Sequence, residues 1–100
     1  MAIGIKQYAI MDEQQFTQVI ELLPNKFSSH LFIEKFIQEY EADYIRELVP
    51  ERGGFRKLNS EIGRFLSTHS QTLHVEKIGE ATDENVKGYD SPNALWRKTN

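Results

Sequence analysis

The chain has 100 residues, 39% hydrophobic and 27% charged, with a net charge of −3. Those values describe one folded domain over 1–100 and exclude a collagenous, low-complexity or strongly cationic chain. Cysteine is absent, so neither a disulfide nor a thiolate metal site contributes.

No long apolar run or cleavage-like pattern is present, which makes cytoplasm the expected location and a membrane an unexpected partner. Charge is uneven along the chain. Residues 1–50 carry 4 Lys/Arg against 8 Asp/Glu, and residues 51–100 carry 8 against 7. A phosphate-binding surface needs local positive charge rather than a basic total. The second half is therefore where such a surface is sought, while the acidic first half also fits an ordinary solvated face.

In chain order, residues 3–10 (IGIKQYAI) read as a short N-terminal strand or ordered arm closing a sheet edge. Asp12 is a good N-cap for a helix over Glu13 to Leu23, with Phe16, Val19, Ile20 and Leu23 forming its apolar stripe. Pro24-Asn25 ends it. Ser28 caps a second helix, and Phe27 is placed to staple against Phe32. Phe32, Ile33, Phe36, Ile37 and Tyr40 form the densest aromatic stripe, which reads as core. A single helix over 29–49 would run about 30 Å, long for this domain, so a bend near Glu41-Ala42 is expected to give two helices.

Pro50 to Gly54 is a loop within the domain. A third major helix is predicted over Asn59 to His69, capped by Asn59 or Ser60, with Leu58, Ile62, Phe65 and Leu66 inward. Gly63 costs such a helix roughly 0.5–1 kcal/mol relative to Ala, and close packing against another helix would explain it. Two strands follow, Leu73 to Ile78 and Val86 to Tyr89, joined by the polar tip EATDEN. Asp90-Ser91-Pro92-Asn93 reads as a further turn before Ala94-Leu95-Trp96 returns to the body.

Enzyme chemistry finds little footing. There is no GxGxxG, phosphate-loop, HExxH or GxSxG motif. His30, His69 and His74 lack the further ligands a metal site wants, and the serines read as caps and turn residues. No metal, cofactor or catalytic residue is expected.

The third helix offers a different chemistry. A helix lying in a major groove meets base edges with its N-terminal polar residues. Here those are Asn59, Ser60, Glu61 and Arg64, with Arg56 and Lys57 placed towards the sugar-phosphate backbone and Ser67 and Thr68 towards phosphate. Lys77 and Lys87 on the hairpin, with Arg97 and Lys98 beyond it, would extend the patch. Against it stand Glu61, Glu76, Glu80, Asp83 and Glu84, four of them on the hairpin or its tip, which is unfavourable beside phosphate.

Ile62-Gly63-Arg64-Phe65-Leu66, the polar-tipped hairpin, Gly88-Tyr89 and Trp96 together resemble winged-helix DNA-binding modules of phage and plasmid proteins, including those of phage primase-helicases. The resemblance covers residues 55–98. It implies an α+β, winged helix-turn-helix-like fold: three to four helices, then a β-hairpin wing, with a short N-terminal strand added. It further implies that Arg64 and its neighbours face double-stranded DNA. The acidic hairpin departs from that pattern. The expected function is thus a non-enzymatic DNA-binding domain, a small transcriptional regulator or phage-related protein. The alternative is a protein-interaction or assembly module on the same scaffold, as a homodimer or with another protein.

Overall fold

The computed structural model describes residues 12–48 and 54–99, and the expected strand at 3–10 lies outside them. Capping chemistry sets the first elements. The Asp12 carboxylate accepts from the Gln14 amide at 2.8 Å and opens α1 (Glu13–Glu21). The chain then forms β1 (Lys26–Ser28), where only the opening of a helix was expected. The Ser28 hydroxyl accepts from the Leu31 amide at 3.0 Å and starts α2 (Ser29–Glu39). The Phe27 and Phe32 rings meet across this cap, 6.4 Å between centroids, as the staple predicts. Tyr40 leaves helical geometry at φ −131°, ψ 46°, so α3 (Glu41–Glu47) is separate and the expected bend is present.

The second half runs α4 (Gly54–Thr68), α5 (Ser70–Leu73), β2 (Val75–Glu84) and β3 (Asp90–Lys98). Five helices thus stand among the described residues, rather than three to four. The strands form one antiparallel sheet in the order β1-β3-β2, with Phe27 opposite Trp96 and Val75 opposite Lys98. At Lys77/Gly79 the β2–β3 register shifts by one residue, and Gly79 supplies the positive φ of 155° there. The architecture is α+β: helices packed on one small antiparallel sheet.

Aromatic residues fill the centre. Phe16 is fully buried, with ring centroids of Phe32, Phe36 and Phe65 at 5.0, 5.4 and 4.5 Å. Leu58, Ile62 and Leu66 close the core from α4, and Leu73, Val75 and Trp96 from the hairpin side. The Trp96 indole donates to the Ser29 hydroxyl at 2.9 Å, so the polar edge of this buried ring is satisfied.

Three expectations are corrected. The helix begins at Gly54, not Asn59, because Phe55 and Leu58 extend the period of Ile62, Phe65 and Leu66 by a full turn. Asn59 and Ser60 are therefore not caps. Val86 to Tyr89 forms the hairpin tip, and the return strand is Asp90–Lys98. Pro92 is accommodated because β1 pairs only as far as Leu95, leaving β3 an edge strand at Pro92. Finally, a Cβ at Gly63 would meet nothing within 4 Å, so close helix packing does not explain this glycine.

Candidate nucleic-acid interface

The apolar stripe of α4 turns inward and decides what remains outside. Arg56, Ser60, Arg64 and Ser67 are exposed, and their spacing sets them in one row along the helix. No carboxylate interrupts that row. Lys57 and Glu61 lie on its flank, with Lys57 Nζ 3.2 Å and an Arg64 guanidinium nitrogen 3.9 Å from Glu61 Oε2. Glu61 therefore has two cations beside it, while the Arg64 side chain stays 70% exposed. Asn59 points the other way. Its side-chain oxygen accepts from the Tyr44 hydroxyl at 2.6 Å, tying α3 to α4. Burial pushes that hydroxyl's pKa up, so Tyr44 remains a donor.

The cations expected on the hairpin fare differently. The Lys87 ammonium sits over the Phe55 ring, 4.6 Å from its centroid, and joins the hairpin tip to the start of α4. Lys77 is exposed, 3.9 Å from Glu80. Arg97 forks onto Glu76, its neighbour across the strands. Lys98 donates to the Leu23 carbonyl at 2.7 Å, beyond the end of α1. Arg97 and Lys98 thus serve the sheet and the α1 end rather than the α4 row. Among the ten expected site residues, Arg56, Asn59, Ser60 and Lys87 line one cleft of about 520 Å³ between α4, α2 and the hairpin.

Several acids that weighed against phosphate are engaged. Glu76 is held by Arg97 and Glu61 faces two cations. Asp83 is drawn onto α2. It accepts from the Ser28 hydroxyl at 2.6 Å, the Asn93 amide at 2.7 Å and His30 Nδ1 at 2.9 Å. Burial pushes the Asp83 pKa up, but the bonds from Ser28, Asn93 and His30, with the His30 charge, outweigh it and hold it below the usual carboxylate value.

This network was not visible in the sequence beyond Ser28 as a cap, because its members come from residues 28–30, 83–85 and 91–93. His30 Nδ1 faces Asp83, and His30 Nε2 lies 3.3 Å from the Ser91 hydroxyl. Ser91 in turn accepts from Asn85 at 3.3 Å, and Asn93 accepts from the His30 amide at 2.8 Å. Aspartate, histidine and serine stand here in relay order; the bonds of Ser28 and His30 couple the start of α2 to the hairpin, and those of Asn85 and Asn93 brace the hairpin itself. No cluster of metal-ligating side chains and no helix long and apolar enough to cross a membrane occurs among the described residues.

Comparison with protein-family models, with curated proteins and with solved structures found no match.

Proposed function

We propose that the chain is a winged-helix domain that binds double-stranded DNA, with α4 in the major groove and the β2–β3 hairpin as its wing. The element order supports the scaffold: a helix, a short strand, a helical layer, α4, then a hairpin whose return strand pairs with β1. The observation that carries the function is the exposed row Arg56, Ser60, Arg64 and Ser67, flanked by Lys57 and by Glu61 between two cations, in a protein of net charge −3. Arg64 donates to a base edge or phosphate, Arg56 and Lys57 to the backbone, and Ser60 and Ser67 add neutral hydrogen bonds. In the cell this is the work of a small transcriptional regulator or a phage-related protein. The test is binding to duplex DNA by fluorescence anisotropy at low salt. Arg64→Ala is expected to weaken it about fivefold to tenfold, as for loss of about 1–1.4 kcal/mol, and Arg97→Ala to leave it unchanged. Absence of binding across varied sequences ends the reading.

A second reading, a protein-interaction or assembly module, draws on another observation. A groove of about 530 Å³ between α2 and the hairpin is lined by Leu31, Ile37 and Val86 together with Glu34 and Glu84. A defined homodimer in sedimentation, formed without DNA and disrupted by Leu31→Glu, would favour it.

A further inference from the structure

The cleft between the first half of α4 and the hairpin differs from the rest of this acidic surface. None of its lining residues is Asp or Glu, whereas the neighbouring groove holds Glu34, Asp83 and Glu84. Arg56 and Lys87 line it as its two cations, while the side chains of Asn85 and Asn93 in its wall are spent on bonds within the fold. Phe55 and Tyr89 supply rings. Arg56 and Ser60 also belong to the exposed α4 row, so the cleft continues the proposed duplex-binding face.

Tyr89 is 68% exposed, and the backbone beneath its ring is braced. The Asn85 side-chain oxygen accepts from the Lys87 and Tyr89 amides at 2.9 and 3.1 Å. The Asn85 amide donates to the Tyr89 carbonyl at 2.7 Å, and the Gly88 amide to the Asn85 carbonyl at 2.9 Å. Gly88 supplies the φ of 91° that this tight tip requires. A ring held in water on so braced a turn is a ready stacking platform, because little order is lost when a flat partner covers it.

We propose that this cleft takes one unpaired nucleotide of a DNA strand running on from the duplex on α4. Its base stacks on Tyr89, and its phosphate lies against Arg56 and Lys87. The proposal rests on the duplex reading and specifies the substrate of that face: DNA with a single-stranded extension or junction rather than blunt duplex. Charge complementarity selects the occupant, since two cations and no carboxylate suit a phosphate, and the exposed Tyr89 ring suits a base.

The experiment compares the full chain on three fluorescent DNAs: a blunt duplex, the same duplex with a two-nucleotide overhang at either end, and that overhang made abasic. The overhang is expected to tighten binding about tenfold over both controls, the lower part of the range for one base stacked on an aromatic ring. Tyr89→Ala should remove the gain and Tyr89→Phe should keep it, with folding checked by thermal melting. Equal affinity for all three DNAs, or discrimination that survives Tyr89→Ala, overturns the proposal while leaving duplex binding in place. Binding to overhangs without blunt-duplex binding supports the cleft and removes the duplex reading. No binding to any of the three overturns both.

Discussion

Asp83→Ala cuts the tether that holds the hairpin to α2. Asp83 accepts three side-chain hydrogen bonds, at 2.6, 2.7 and 2.9 Å. The losses are unequal. Asn93 still donates to the Ala81 and Ser91 carbonyls, and His30 Nδ1 still faces the Asp83 carbonyl at 3.1 Å. Ser28 is 5% exposed and has its hydroxyl proton left without an acceptor. A hydrogen bond to a charged group is worth about 1.5–3 kcal/mol. Because the Asp83 side chain is 43% exposed, water recovers part of the other two bonds. The expected cost is therefore about 1.5–3 kcal/mol in total, concentrated at Ser28. For a domain of this size that lowers Tm by about 6–24 °C. Urea unfolding of the wild type, Asp83→Ala, Ser28→Ala and the double variant supplies the assay. The single costs should exceed their combined cost by about 1 kcal/mol, since both remove the same bond. A loss below about 0.5 kcal/mol for Asp83→Ala, or strict additivity, would refute the tether.

The same carboxylate sets a pH dependence. The folded Asp83 pKa lies below its unfolded value, so its contribution is complete above about pH 4 and is lost as pH falls through the folded value. Urea midpoints should therefore fall more steeply under acid in the wild type than in Asp83→Asn, and parallel curves would contradict this. Gly63→Ala is expected to raise stability by about 0.5–1 kcal/mol, since its Cβ enters open space on a helix; a lower thermal midpoint would count against it. Phe16→Ala removes the ring that three other phenylalanines surround and should cost about 3–5 kcal/mol, read by chemical denaturation.

Where local chemistry decides, the sequence was readable. Asp12 and Ser28 cap the helices they were expected to cap, Phe27 staples against Phe32, and the aromatic stripe is core. Where tertiary contacts decide, it misled. Asn59 looks like a cap by type, but the apolar period starts at Phe55 and the Asn59 side chain meets Tyr44. Val86 and Tyr89 look like strand residues, yet the Asn85 side chain folds them into a tip. The true return strand is polar because the hairpin's outer half is solvated, which erases the alternation a buried strand shows. Of the candidate site, the α4 cations were legible from helical spacing. The diversion of Arg97 to Glu76 and of Lys98 to Leu23 was not, because strand register fixes the first and the packing of β3 beside the end of α1 fixes the second.

The central claim is that the outer row of α4 neutralises DNA phosphates. Its most direct test is the salt dependence of duplex binding, measured by anisotropy between 50 and 200 mM salt for the wild type and Arg64→Ala. With roughly three phosphates neutralised, log K should fall against log salt with a slope of about −2.7, a loss of roughly 40-fold over that range. Arg64→Ala should flatten the slope by about 1. A slope near zero, or one that Arg64→Ala leaves unchanged, would contradict the account.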